Sequence, residues 1–373
     1  MKSKSLVIDP LKNNVSIRDE VIKTNSKNHL VKWSVSCVCA SERRRFNLQK
    51  SHSDYNKFIA GHESVGRLSE ENNNNLFVLL PHSNCITRNE TIKCSSCKNG
   101  EYNLCKCMNH AGLSSTEPGG LSEMSSVPPS QLLQVDDLQD DLAVFTEPLA
   151  CVLRSWKKIK EYKKEKVAII GLGPIGCLHY IYSSISHPEI QYFLYESDQK
   201  RVDMFKRVFK QDNFVINEPR DDLDIAIMAN STSDGFEQAK SCVGKNGVVL
   251  LFSGFNNVSY KCNDFFPEFI HREEFSFFDN GLFYCGSSGY VKEDLNESVK
   301  TLRENSIFKR MITGTVNGLD SRKIVCHYTE DELLDEPVLL KDLKGDLSHH
   351  IKIQYFVNKV IVYYNFQYNH LNL

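Results

Sequence analysis

The stretch VAIIGLGPIGCLHYIY, Val167 to Tyr182, decides the fold of this 373-residue chain. Val167 to Ile170 read as a buried strand, Gly171, Gly173 and Gly176 form a G-x-G-x-x-G turn, and an apolar helix follows. Glycine triplets arise by chance. This one gains weight from its place between a strand and a helix. In that setting Gly171 permits a tight turn, Gly173 lets backbone approach a pyrophosphate, and Gly176 lets helix pack on strand. Pro174 and Ile175 complete the turn, and the helix N-terminus offers amide donors and the positive end of its dipole. A structural glycine turn is the bland alternative.

The next strand, IQYFLYES, ends at Glu196, 20 residues beyond Gly176. A carboxylate there can accept hydrogen bonds from the adenosine ribose hydroxyls and would repel a 2′-phosphate. No lysine or arginine stands at 197 or 198, which favours NAD; Lys200 and Arg201 keep NADP open.

Outward from this unit the texture divides the chain. Residues 1–150 are strand-like and irregular, with short runs such as LVIDP and HLVKWSV and an exposed Asn-rich turn from Asn72 to Asn75. From CVLRSWKKIKEYKKEKVAII, helix and strand alternate through about residue 280, as a doubly wound parallel sheet with crossover helices requires. Residues 151–285 are therefore read as the nucleotide domain. In residues 286–373, VKEDLNESVKTLREN has helical spacing, with Val291, Leu295, Val299 and Leu302 on one face, and HIKIQYF is strand-like. Two domains suit the length, because a single core seldom grows past roughly 250 to 300 residues.

The 45 basic and 47 acidic residues leave a formal charge of −2, with no broad basic field for nucleic acid or an anionic membrane. That points to a small-molecule partner. No apolar run approaches the ~20 residues of a membrane span, and MKSKSLVIDPLKNN has no secretory signal, so the expected location is cytoplasmic. The 13 cysteines then read as thiols or metal ligands rather than a disulfide framework. Cys151, Cys177, Cys242, Cys262, Cys285 and Cys326 stand singly and are expected to be small buried hydrophobes.

Three other segments carry metal-ligand chemistry. SVSCVCASERRRF holds Cys39 and Ser41, FIAGHESVGRL holds His62 and Glu63, and FTEPLACVLRSW places Glu147 at the start of the nucleotide unit. Thiolate, imidazole and carboxylate form a borderline-soft set that suits zinc, and three protein ligands leave a position for substrate.

In this order the residues resemble the zinc-dependent medium-chain dehydrogenases, the alcohol and sorbitol dehydrogenase superfamily. C-x-S-E stands for their C-G-[ST]-D, Gly61-His62-Glu63 to Gly66 for G-H-E-x-x-G, and Gly119-Gly120-Leu-Ser-Glu123 for G-G-F-A-E. A C-x2-C lobe, Glu147-Pro148-Leu149 and the glycine turn complete the series. GKNGVVLLFSGF and FIHREEFSFFDNGLFYCGSSG resemble the closing strands of the polyol branch, which Glu147 also suggests, since alcohol dehydrogenases proper use cysteine there. The resemblance runs from about residue 5 to 357.

It implies an α/β architecture: a mostly-β GroES-like catalytic domain, discontinuous because the last segment returns to it, plus the Rossmann domain. It implies Cys39, His62 and Glu147 as catalytic zinc ligands, Glu63 as an alternative or adjacent ligand, and Ser41 as the hydroxyl that passes the substrate proton outward. Zinc and NAD would then serve the oxidation of a secondary alcohol of a polyol, cyclitol or sugar, in a dimer or tetramer. Two rivals remain: a dehydrogenase of a sugar phosphate or amino alcohol, for which Arg43, Arg44 and Arg45 are candidate anion binders, and a non-catalytic nucleotide-binding protein.

Departures from the family pattern matter. Cys37 precedes Cys39, leaving open which thiolate binds. The structural zinc lobe expects cysteine at 91, 94, 97 and 105, but residue 91 is threonine, so Cys94, Cys97 and Cys105 form an incomplete set. Either Cys107 or Cys85 substitutes, or the lobe is metal-free; a separate nucleic-acid-binding zinc ribbon would need a second knuckle. His271, His349 and His350 need no metal to explain them, and the aromatic tail from Val362 to Leu373 reads as an edge strand or subunit contact.

Overall fold

In the computed structural model, which describes residues 1–46, 56–69, 74–210, 213–252 and 274–358, the glycine turn belongs to a seven-stranded sheet. Strands Phe214–Ile216, Gln191–Tyr195, Lys166–Ile170, Leu223–Met228, Val243–Leu251 and Leu282–Gly286 lie side by side in that order, all parallel. This is the 3-2-1-4-5-6 order of a doubly wound sheet, which opens a crevice at the carboxyl ends where the strand order reverses. Phe275–Asp279 adds an antiparallel edge.

The apolar runs of these strands follow from burial on both faces. Val167, Ile169, Tyr192, Leu194, Ile225 and Ile227 enter one core, while Ala168, Ile170, Phe193, Tyr195, Ala226 and Met228 enter the other. Helix Pro174–Ser186 packs close to the first strand. Gly176 makes that possible, because a Cβ there would lie 1.9 Å from the Gly171 carbonyl oxygen. Gly171 itself has φ +98°, a conformation that side-chain-bearing residues rarely adopt.

A second, nine-stranded sheet gathers segments from far apart in the chain. His29–Cys37 pairs with Glu63–Leu68 on one side and with the late strand Lys352–Phe356 on the other. Lys352–Phe356 in turn runs parallel to Ile312–Asn317. The end of the described chain thus returns to the sheet of its beginning, around fully buried Trp33, whose Nε1 donates to Ser125 Oγ at 2.7 Å.

Several expectations meet the structure here. The late helix spans Lys292–Glu304 and buries Leu295, Ser298 and Leu302, whereas Val291 precedes its first residue. Cys177, Cys242 and Cys285 are buried as small apolar residues. Cys262, His271, Asn72, Asn73 and the Val362 to Leu373 tail lie outside the described residues.

Helix Pro174–Ser186 also buries His179 completely, with Trp156 Nε1 donating to its Nδ1 at 3.1 Å and its Nε2 unpartnered. Burial pushes this imidazole down to about 3. Unfolding restores an ordinary histidine, so the unfolded chain binds the extra proton and stability is lost as pH falls below about 6.5. His179→Gln should remove up to about 1.4 kcal/mol per pH unit of this loss. Urea unfolding of both proteins between neutral pH and mild acid checks it, and parallel slopes would contradict it.

Candidate active site

The late end of strand His29–Cys37 delivers Cys39 to the start of helix Ala40–Phe46. Cys37 is fully buried, and burial drives its thiol far above the ordinary range. Half-buried Cys39 lines the central cavity. Of the two thiols, Cys39 is the one that reaches the cavity.

Glu42, three residues on, is fully buried and organises its surroundings. It accepts from the backbone N–H groups of Cys39 at 2.8 Å, Gly61 at 3.2 Å and His62 at 3.1 Å, and its Oε1 lies 2.7 Å from His62 Nδ1. Burial would raise this carboxyl, but His62 and the backbone donors hold it below its usual value. Burial would likewise lower His62, yet Glu42 and Cys39 beside it hold the imidazole well above its ordinary value. With Nδ1 engaged by a carboxylate, Nε2 is the free ligand atom.

Ligand atoms of Cys39, Glu42 and His62 lie within 4.8 Å of one another, and so do those of His62, Glu63 and Glu147. His62 links the two groups. Glu147 enters from the first turn of helix Thr146–Lys158, and burial pushes its carboxyl up to about 7. One turn later Cys151 Sγ stands 3.7 Å from Glu147 Oε1 and lines the cavity, so Cys151 is not the plain core residue expected of it. Glu63 instead forms a buried ion pair with Lys352 of the late strand. That engagement leaves Glu147 the freer carboxylate.

A cavity of about 710 Å³ joins this cluster to the glycine turn, lined by Cys39, Ser41, His62 and Glu147 as well as by Gly171, Gly173, Pro174, Ile175 and Arg201. At its nucleotide end Glu196 accepts from the backbone N–H of Leu172 at 3.0 Å and from Arg201 Nη1 at 3.0 Å. Arg201 is tied further by donating from Nε to the Ser348 carbonyl at 3.1 Å.

The cysteine lobe resolves the incomplete set. Cys85, Cys94, Cys97 and Cys105 bring their sulfurs within 4.8 Å of one another, while Cys107 and Thr91 are exposed. Cys85 and Cys105 are 3.5 Å apart, Cys94 and Cys105 3.8 Å. Tetrahedral zinc with Zn–S bonds of ~2.3 Å has sulfur–sulfur edges of about 3.8 Å, so the four fit such an ion. Backbone N–H donation from Cys97 pulls Cys94 down to about 6, which favours the ligating thiolate.

Sequence reading missed Glu42 and Lys352 as parts of the site, and His82 and His110, which line the cavity in edge contact with each other. The S-E pair after Cys39 was the one available signal for Glu42. Nothing local marks Lys352.

Residues 25–137 match the alcohol dehydrogenase GroES-like domain. The chain is 26% identical over 187 residues to the L-idonate 5-dehydrogenase (NAD(P)(+)) of Escherichia coli, covering 48% of this chain and 53% of that protein. It is 36% identical over 87 residues to the sorbitol dehydrogenase of Halalkalibacterium halodurans, or 23% of this chain and 25% of that one. These alignments span about half or less of either relative's length. The crystal structure of L-idonate 5-dehydrogenase from Escherichia coli superposes with a TM-score of 0.69 at 19% identity, covering 95% of this chain and 98% of that one. No helix among the described residues is long and apolar enough to cross a membrane. Residues 25–137 thus carry the alcohol dehydrogenase GroES-like domain, and the chain as a whole shares the fold of the L-idonate 5-dehydrogenase structure.

Proposed function

We propose that this protein oxidises a secondary alcohol of a polyol or sugar derivative to a ketone, passing hydride to NAD in the cavity shared by the two residue clusters. The observation that carries this is the single cavity lined both by Cys39, His62 and Glu147 and by the glycine turn. The first three residues would hold an alcohol at one end of this cavity, and the glycine turn would hold the pyrophosphate of NAD at the other. Such proximity supplies much of the rate, with reacting atoms about 3 to 3.5 Å apart.

Cys39, His62 and Glu147 would hold zinc. Their donor types suit that ion: His62 is grouped with Cys39 on one side and with Glu147 on the other, so a shared centre needs Cys39 and Glu147 to draw together, and the neighbouring carboxylates are already answered, Glu63 by Lys352 and Glu42 by His62 and backbone donors. Bound zinc supplies a Lewis acid that brings the pKa of a coordinated hydroxyl toward neutrality. Glu42 holds the His62 ring in its tautomer, Ser41 passes the substrate proton outward, and closure of the cavity around the reactants excludes water. Glu196 receives the adenosine ribose. Its carboxylate and the prior engagement of Arg201 support NAD over NADP. Cys85, Cys94, Cys97 and Cys105 would hold a structural zinc. A soluble cytoplasmic dimer or tetramer is the assembly this reading carries.

One observation favours an acid-bearing substrate over a neutral polyol. Arg43 is paired with Asp342, but Arg44, largely buried at the cavity wall, donates to Ser41 Oγ at 3.3 Å, and its Nε finds no partner among the described residues. Burial lowers this guanidinium, and a buried cation with spare donors suits an anionic substrate group. A sugar acid, as in the name of the L-idonate relative, would bring a carboxylate there.

His62→Ala should cost about one zinc per chain and at least ~10³-fold in turnover, while NADH binding, followed by fluorescence, persists. Retained turnover would refute the assignment. Arg44→Gln should raise KM for sugar acids by about tenfold or more, equivalent to ~1.4 kcal/mol, and leave KM for neutral polyols nearly unchanged. Equal changes for both substrate classes would remove the acid-bearing reading and leave the polyol one.

A further inference from the structure

We propose that Cys326, Glu332 and His350 form a divalent-metal site, with His349 beside it, separate from both the cavity and the cysteine lobe. Three parts of the chain meet there. Cys326 ends strand Lys323–Cys326, Glu332 begins the antiparallel strand Glu332–Leu333, and the two histidines immediately precede the return strand Lys352–Phe356.

The ligand atoms of Cys326, Glu332 and His350 lie within 4.8 Å of one another. Glu332 Oε1 is 4.0 Å from Cys326 Sγ, 3.4 Å from His350 Nε2 and 3.0 Å from His349 Nε2. Ligands of a tetrahedral ion with bonds of ~2.0 to 2.3 Å stand about 3.3 to 3.8 Å apart, so these separations need only small side-chain adjustments. One thiolate, one imidazole and one carboxylate make a borderline donor set, suited to zinc and to its cobalt surrogate. Coordination would release the thiol proton to solvent.

A second observation concerns how His350 is held. Its side chain is 1% exposed, and its Nε2 stands 3.4 Å from Glu332 Oε1. Its Nδ1 lies 3.2 Å from Thr313 Oγ1, which also accepts from the Ile351 backbone N–H at 3.0 Å. The ring is therefore fixed from behind, with a buried ligand atom facing the cluster. Such a second contact commonly orients a metal-binding histidine.

Cys326, Glu332 and His350 supply three positions, and none of them lines the cavity, so the role of the centre is structural rather than catalytic. Glu332 and His349 are about a quarter exposed, so an ion can enter without unfolding. The ion would clip the Lys323 to Leu333 hairpin onto the root of the strand that carries Lys352 to Glu63.

The test counts metal. Full-length protein and its Cys326→Ser and Glu332→Gln variants are loaded with Zn²⁺, desalted and analysed for zinc per chain, with circular dichroism to establish folding. Each variant should hold about one zinc fewer than the parent, and Co²⁺-loaded Cys326→Ser should lose part of the thiolate-to-cobalt charge-transfer absorption. Equal zinc content in the parent and in a folded variant would overturn the site. Should one variant fail to fold, the other decides, with His350→Gln as a third. The cavity is read separately: His62→Ala removes its own equivalent, so His62→Ala combined with Cys326→Ser should lose about two if both centres exist.

Discussion

The site depends on one buried carboxylate. Glu42 has no water to solvate it, and an unpaired charge in that position would cost several kcal/mol. Backbone donors from Cys39, Gly61 and His62 and the His62 ring supply the compensation, so the charge is stable only if two segments about 20 residues apart keep this geometry. Breaking such an arrangement by removing one partner typically costs about 3 to 5 kcal/mol. The same contacts that satisfy Glu42 therefore fix where Cys39 and His62 stand and which imidazole nitrogen faces the cavity. Positioning of the ligands and solvation of the acid are one event.

A similar coupling reaches the late strand. Lys352 is buried against Glu63, and neither charge is tolerable without the other. The pair joins Lys352–Phe356 to Glu63–Leu68 across the intervening His29–Cys37, so the return of the chain is held by electrostatics as well as by ladder hydrogen bonds. In the same region Tyr355 donates to Asp342 at 2.8 Å, and Asp342 also pairs with Arg43 of the helix that begins beside Cys39. The early and late segments are thus braced on both sides of the candidate zinc ligands.

The nucleotide unit was legible because its signals are local. A strand, a glycine turn and a helix lie within sixteen consecutive residues, and Glu196 follows at a spacing set by a single crossover. Cys39, His62 and Glu147 were legible only as a combination matched to a family, since nothing in the spacing of three distant residues says that they converge. Glu42 and Lys352 escaped because their role is to satisfy other buried groups, a property of the folded interior. Cys85 was one of two candidates for a missing ligand. Distance along the chain favoured neither, and the fold buried Cys85 against Cys105 while leaving Cys107 in solvent. Cys326 packs against an apolar core as a lone cysteine usually does, and only the fold reveals that a carboxylate faces its sulfur and that of Cys151.

The charges around the cavity argue for more than placement. Glu42 and Glu63 are each matched by a cationic or hydrogen-bonded partner from the protein, but Glu147, near 7 under burial, faces a thiol at Cys151 and shares its neighbourhood with Glu63. A protein built only to hold a nucleotide has no reason to bury a third carboxyl beside a second at this cost. A dication held there would remove the cost, because it would stabilise the carboxylate of Glu147 and need no further protein cation. Reducing the pocket to a nucleotide scaffold would leave Glu147 as strain without a use, whereas the dehydrogenase reading gives that burial its chemistry.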